Sequence, residues 1–226
     1  MQRFFILQNF DVEGPGLFYK IAQERGFDIQ IIHLYLEDNL PKVNPSDIVL
    51  ILGGPMGVKD IDNIKFHWLE KEVLFIKSLL NKRIGIIGVC LGAQLLSYAS
   101  GGDVEVLKGG IPIRPMPELG WSEIYSVSNS SKNELSLMIK KPTKVLHWHA
   151  DRILLPPNAV LLGESNYCKE QLFKIHNRAY GLQFHVESVE GMVENWINID
   201  RDFIISAIGD KGIEKLLREE TNIPFE

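Results

Sequence analysis

A cysteine at position 90 sits between two glycines, in Gly88-Val89-Cys90-Leu91-Gly92. This is the thiol form of the G-x-S-x-G pattern that places a nucleophile on a sharp strand-to-helix turn. Such a turn holds the nucleophile in a crowded, strained backbone conformation, and the flanking glycines leave the room it needs. A helix starting directly afterwards would aim free amides and its positive dipole end at a thiolate and at the oxyanion the thiolate generates. A nucleophile also needs a base. His185 and Glu187 stand two apart in His185-Val186-Glu187, so in extended chain they point the same way. The carboxylate can hold the imidazole in one tautomer and stabilise its cation, which completes a Cys90–His185–Glu187 triad. Acyl transfer further requires an oxyanion hole. The Leu91 amide is one natural donor, and Gly54 in Gly53-Gly54-Pro55 is the candidate for the second, because glycine lets the backbone approach a ligand.

Taken singly, each of these residues has a plainer reading. A buried cysteine is commonly a small inert hydrophobe, a histidine a core residue, Gly53-Gly54 a tight turn, and Glu187 a helix cap. Their combination is what points to chemistry. His147 and His149 would share one face of a strand, but the sequence offers no carboxylate or thiol at motif spacing, so no metal site is expected. Cys168 reads as structural. The tryptophans at 68 and 196 read as core or subunit contacts.

The elements that must position these groups follow from apolar periodicity. Residues 3–8, 27–34, 47–52 and 84–87 read as strands, and residues 17–25, 65–80 and 93–99 as helices. The third strand is apolar on both faces, as a central parallel strand should be. The alternation predicts an α/β fold, an open, mostly parallel (flavodoxin-like) sheet with helices on both faces. In such a sheet the C-terminal strand ends share one edge, where Cys90 and His185 can meet. After Gly101-Gly102 the texture changes. Short strands are expected at 104–106, 111–114 and 121–127, broken by Pro112, Pro115 and Pro117, then at 145–149, 159–164, 170–176 and 179–185, as an antiparallel β extension. Asn177-Arg178 is the expected turn between the last two. Helices are expected over 134–139, 189–205 and 213–218. With no repeat and no linker, residues 1–226 read as a single domain.

Bulk properties exclude several classes. A formal net charge of −5 with no long basic run argues against nucleic acid. Two cysteines are too few for a disulfide framework, and together with the missing signal peptide they predict a cytoplasmic protein. No apolar stretch approaches the roughly 20 residues of a membrane span.

The three motifs, in their order and separation, resemble those of the class I (triad) glutamine amidotransferases: Gly53-Gly54-Pro55, Gly88-Val89-Cys90-Leu91-Gly92-Ala93-Gln94 and Gly181-Leu182-Gln183-Phe184-His185-Val186-Glu187. The resemblance runs to about residue 205. Within the class the chain is most similar to stand-alone proteins like the glutaminase domain of GMP synthase, on Gly120-Trp121-Ser122-Glu123, Trp148-His149-Ala150-Asp151 and the loop at Glu13. The resemblance implies attack by Cys90 on the side-chain amide of glutamine, an oxyanion held by the Gly54 and Leu91 amides, and release of ammonia through a γ-glutamyl thioester. It implies substrate contacts from Gln94, Asp151, Met56 and Gly53, although tryptophan stands here where the GMP synthase type carries serine before the histidine. No cofactor is implied. The chain has neither a P-loop nor a Ser-Gly-Gly-x-Asp-Ser loop, so an ammonia-accepting synthase would be a separate chain. Two alternatives stay open: a hydrolase of another γ-glutamyl amine or peptide, and a non-catalytic regulatory protein on the same fold. The acceptor and the oligomeric state leave no motif to read.

Overall fold

The computed structural model describes residues 2–127, 139 and 141–220. Its first half alternates strands and helices: β1 (Arg3–Gln8), α1 (Gly16–Glu24), β2 (Asp28–His33), β3 (Ile48–Ile51), α2 (Trp68–Asn81), β4 (Gly85–Val89) and α3 (Leu91–Ala99). The second half is strand-rich. It holds β5 (Asp103–Val106), β6 (Lys108–Gly109), β7 (Arg114–Pro115), β8 (Glu118–Ser126), β9 (Thr143–His149), β10 (Asp151–Leu154), β11 (Ala159–Ser165), β12 (Leu172–Ile175) and β13 (Ala179–Leu182), then α4 (Met192–Ile199) and α5 (Arg201–Glu220).

Nine strands form one sheet in the order β2-β1-β3-β4-β13-β12-β11-β8-β9. From β2 to β13 every pairing is parallel, which is the flavodoxin-like order with β13 as fifth strand. From β13 outward every pairing is antiparallel. Side-chain alternation divides the parallel half between two cores. Phe5 and Leu7 of β1 and Val49 and Ile51 of β3 pack with α2 and α3. Phe4, Ile6, Leu50 and Leu52 face the other way and pack with Ala22 and Phe18 of α1. The antiparallel extension is covered by α4 and α5, through Trp121, Leu146 and Trp148 against Trp196, Ile204 and Leu216.

α3 lies unusually close to the sheet. A Cβ on Gly92 would overlap the carbonyl of Ile51 in β3, and one on Gly88 would collide with the Gly92 backbone. The two glycines of the cysteine motif are therefore the surfaces on which the helix seats.

Several expectations change on inspection. The strand expected over 111–114 is the tip of the β6–β7 hairpin, with Ile111 and Ile113 exposed. The alternating prolines leave only two-residue strands on either side. The single helix expected over 189–205 breaks at Asp200, whose carbonyl accepts the Ile204 amide and starts α5. The separate final helix is instead the end of α5, beyond a break at Gly209 (φ 68°). The Asn177-Arg178 turn is three residues long and uses His176 at φ 56°. β10 was not foreseen; it pairs with β5 outside the main sheet. The helix expected over 134–139 lies outside the described residues apart from residue 139. Among the described residues no helix is long and apolar enough to cross a membrane.

Replacing Gly92 by alanine should therefore lower stability by about 1–3 kcal/mol through overpacking. A Cβ at Gly14 meets nothing within 4 Å, so Gly14→Ala should stay within about 0.5 kcal/mol of the parent. Urea unfolding of both variants checks this.

Candidate active site

The parallel strands deliver their C-terminal ends to one edge, and each end brings a polar or glycine residue there. Asn9 follows β1, Gly53-Gly54 follow β3, Cys90 follows β4, and Gln183 to His185 follow β13. The β4–β13 register pairs Gly88 with Gly181 and Val89 with Leu182, and the Cys90 amide donates to the Leu182 carbonyl at 2.8 Å. That register brings Gln183 beside Cys90, and the histidine of the same segment follows two residues later. Strand pairing is what carries His185 to the same sheet edge as Cys90, close enough for their side chains to interact.

Cys90 adopts φ 51°, ψ −110° at the start of α3. A non-glycine residue in this region is strained, and the tight seat of Gly88 and Gly92 holds it there. The side chain is 8% exposed and borders a cavity of about 430 Å³. Its Sγ receives the Gln183 Nε2–H at 3.7 Å and lies 3.7 Å from the Trp148 carbonyl.

His185 is buried, and its backbone is clamped to β9 by reciprocal bonds with Leu146. Its Nδ1 lies 2.6 Å from Glu187 Oε1, and the other carboxylate oxygen accepts the Val186 amide at 2.9 Å. With Nδ1–H committed to the carboxylate, Nε2 is the nitrogen left for the thiol. Burial pulls the imidazole pKa down. The charges of Glu187 and Cys90, with hydrogen bonds to both, outweigh it and hold the group well above its ordinary value. The Trp196 ring packs edge-on against the imidazole, centroids 4.7 Å apart. The Glu187 carbonyl accepts the Leu17 amide of α1 at 2.9 Å, across a contact so close that Gly16 has no room for a Cβ.

The other expected residues distribute as follows. Gly54, Leu91, Met56, Gln94 and Asp151 all border the cavity. Among the described residues no backbone hydrogen bond takes the N–H of Gly54 or Leu91. Gln94 donates to Gln183 Oε1 at 3.3 Å. Asp151 opens β10. Gly53 is set one step behind the cavity wall, between the Glu13 carboxylate and the Cys90 Cβ.

Sequence reasoning missed several participants. Trp196, expected in the core or at a subunit contact, borders the cavity as well as packing in the core. Gln183 lies inside the histidine motif, and its position next to Cys90 was readable only through the parallel register. Glu13 reaches the cavity from the loop before α1. Burial pushes its carboxyl up to about 7; His185 opposes this, while Glu187 and Asp200 add to it. Asn9 donates to the Leu52 carbonyl, just before Gly53-Gly54, at 3.3 Å and to Glu72 Oε1 at 3.2 Å, and accepts the Trp68 indole N–H at 2.9 Å. The signal for Asn9 was the polar pair Gln8-Asn9 directly after the apolar run from Phe4 to Leu7.

Comparison with known proteins decides the family. A family model described as glutamine amidotransferase class-I matches residues 17–198. The chain belongs to the class-I glutamine amidotransferases. The glutamine amidotransferase-like protein YfeJ of Salmonella typhimurium is 29% identical over 189 residues, 81% of this chain and 76% of that protein. One subunit of the glutamine-hydrolysing GMP synthase of Saccharolobus solfataricus is 26% identical over 192 residues, 83% of this chain and 90% of that polypeptide. Of two longer GMP synthases, from subspecies of Streptococcus equi, that it also matches, the chain spans 31%. The crystal structure of a glutamine amidotransferase from Thermotoga maritima superposes with a TM-score of 0.82 at 26% identity, covering 98% of this chain and 92% of that one. The α/β class-I glutamine amidotransferase fold is thereby established.

Glu72 supplies a pH test of the network beneath the Gly53-Gly54 loop. It is fully buried, Oε2 has no hydrogen-bond partner among the described residues, and burial raises its pKa from 4.5 to about 8 despite the Asn9 hydrogen bond. A carboxyl whose folded pKa exceeds its unfolded value binds protons more tightly when folded. Its stabilising contribution is complete below about pH 4.5 and is lost as pH rises through about 8. Melting curves of the parent and Glu72→Gln should therefore diverge as pH rises, the variant gaining relative to the parent by a few degrees, on the scale of the roughly 2–4 °C that 1 kcal/mol moves a chain of this size.

Proposed function

We propose that this chain is a cysteine-nucleophile glutamine amidohydrolase that releases ammonia from the glutamine side chain. The observation that carries this reading is the alignment of Cys90, at the strained start of α3, with an imidazole whose other nitrogen is tied to Glu187. Family membership supports the glutamine substrate.

In the proposed mechanism Cys90 Sγ, as thiolate beside the His185 imidazolium, attacks the side-chain carbonyl carbon of glutamine. Negative charge moves to the carbonyl oxygen, which is stabilised by the Gly54 amide after β3 and by the Leu91 amide at the N-terminus of α3. Collapse of the tetrahedral species breaks the C–N bond. His185 delivers its proton to the departing nitrogen, which leaves as ammonia, and the γ-glutamyl group stays on sulfur as a thioester. His185, now neutral, takes a proton from water, the hydroxide attacks the thioester, and glutamate leaves as the thiolate–imidazolium pair re-forms. Glu187 keeps the imidazole oriented and stabilises its cationic form throughout. Gln94 and Gln183 hold the floor of the cavity beside the sulfur. Asp151 offers a carboxylate to the substrate ammonium, Met56 lines the same cavity, and Gly53 backs its wall beside Cys90. Residues 1–226 act as one domain in this reading, and the released ammonia serves a synthase on a separate chain. The similarity to a GMP synthase polypeptide that is itself one subunit of its enzyme supports that arrangement.

Glutaminase assays, with and without candidate synthase chains, test the reading. Cys90→Ala should abolish ammonia release. Glu187→Gln should keep the fold and lower kcat by roughly 10²–10⁴-fold, the range spanned by general-base and orienting groups. Failure of the parent chain to release ammonia from glutamine under any of these conditions would contradict it.

A further inference from the structure

A second polar cluster lies away from the triad, in the antiparallel half of the sheet. The β8–β9 register pairs Glu118 directly with His149 and Gly120 with His147. Side chains two apart on a strand share a face, as do directly paired residues on neighbouring strands. Glu118, His147 and His149 therefore converge on one side of the sheet. All three are buried, at 5%, 1% and 4% exposure. Glu118 Oε2 lies 3.1 Å from His149 Nε2 and 3.7 Å from His147 Nδ1, and one donor atom from each residue falls within 4.8 Å of the other two. The sequence offered two histidines without a third donor. The fold supplies one from a different strand.

The hydrogen bonds around the cluster are unbalanced in an informative way. His149 Nδ1 is 2.9 Å from the Asp151 carbonyl oxygen. A carbonyl only accepts, so this nitrogen carries the proton and, in the neutral ring, Nε2 turns a lone pair toward the Glu118 carboxylate. Two electron-rich atoms 3.1 Å apart in a dry interior require a positive centre between them. A proton on Nε2 would serve for that pair alone. It leaves both ring nitrogens of His147 and the Oε1 of Gln171 buried without a well-formed hydrogen bond among the described residues, with the Ser122 backbone beside the His147 ring.

We infer that Glu118, His147 and His149, with Gln171, form a closed structural site for a divalent cation, zinc by the character of its donors. A cation between them takes the lone pairs of Glu118 Oε2, His147 Nδ1 and His149 Nε2 together. Gln171 Nε2 lies 2.6 Å from Glu118 Oε2 and 3.4 Å from His149 Nε2. The amide oxygen and nitrogen are interchangeable by a flip of the side chain, which puts the unpartnered oxygen at a fourth ligand position. Glu118 Oε2 to His149 Nε2 (3.1 Å), Gln171 to His149 (3.4 Å) and Glu118 to His147 (3.7 Å) lie near the roughly 3.3 Å expected between ligands of a tetrahedron with bonds of about 2.0–2.1 Å, and the Gln171 amide, 2.6 Å from Glu118 Oε2, has to move outward to join them. Imidazole and carboxylate donors suit zinc. The outer shell is in place: the Asp151 carbonyl fixes the His149 tautomer, and Ser165 Oγ donates to Glu118 Oε1 at 2.6 Å. Four protein ligands and deep burial make the site structural. It would pin β8 and β9 to the Gln171 segment immediately behind Trp148 and Asp151, and it is independent of the hydrolytic reading.

The test refolds the full chain with and without excess zinc, since a closed site loads during folding, then removes loose metal by dialysis against a weak chelator. Metal content is read by mass spectrometry and stability by thermal melting. The Cys90→Ala chain is measured in parallel, because a thiol–imidazole pair also binds zinc. The expected result is about one zinc per chain in both proteins, with a zinc-dependent rise in melting temperature. In His147→Gln, which keeps a neutral polar side chain of similar reach, affinity should fall by more than the roughly 10–100-fold that outer-shell changes cost. A folded Cys90→Ala chain that retains no zinc and melts at the same temperature with and without it would overturn the proposal. So would undiminished zinc in folded His147→Gln.

Discussion

The close seat of α3 on the sheet is the constraint on which the rest of the site depends. A helix that touches the Ile51 carbonyl through Gly92 cannot shift, and Gly88 closes the same contact from the strand side. The residue between them has to turn the chain from strand to helix in one step. Cys90 does so at φ 51°, and the cost is carried by the packing of Leu91, Ala93, Leu95 and Leu96, all essentially inaccessible to solvent. The strain holds the sulfur at the sheet edge, with the Leu91 amide at the mouth of the helix.

Everything else at the edge is arranged around that fixed sulfur. Parallel pairing with β4 brings in the β13 segment, so Gln183 meets the sulfur and the His185–Glu187 pair follows. Burying an imidazole and a carboxylate would each be costly alone. Together they are compensated by a 2.6 Å contact, by the Val186 amide and by the sulfur. α1 then locks the far side, its first turn bonded to the Glu187 carbonyl. The Gly53-Gly54 loop has its own support in Asn9, which ties the Leu52 carbonyl to Trp68 and Glu72. A rigid first half of the sheet and a clamped β13 segment together give the positional accuracy that acyl transfer requires.

How much of this was legible in the sequence depended on distance along the chain. The strand–turn–helix at Cys90 and the pairing of His185 with Glu187 are local, so spacing alone exposed them. The parallel strands were legible from their continuous apolar runs. Other features arise only from pairing between distant segments. Gln183 becomes a neighbour of Cys90 through strand register. Glu118 meets His149 through the β8–β9 ladder, which no motif spacing records. Trp196 reads as an ordinary core residue on an amphipathic helix, because contact with His185 leaves no trace in periodicity. The proline-rich stretch near Pro112 and the break at Asp200 were misjudged for a related reason. Apolar content there suggested regular structure, while local backbone chemistry prevented it.

The central claim is that Cys90 is the residue whose sulfur takes the γ-glutamyl group. The most direct measurement is treatment of the intact chain with an electrophilic glutamine analogue, followed by peptide mass spectrometry. The account predicts a single adduct on Cys90, protected by glutamine, with none on Cys168, whose thiol is buried and pushed up to about 12. An unlabelled Cys90 in folded protein, or a label that glutamine does not compete away, would contradict it.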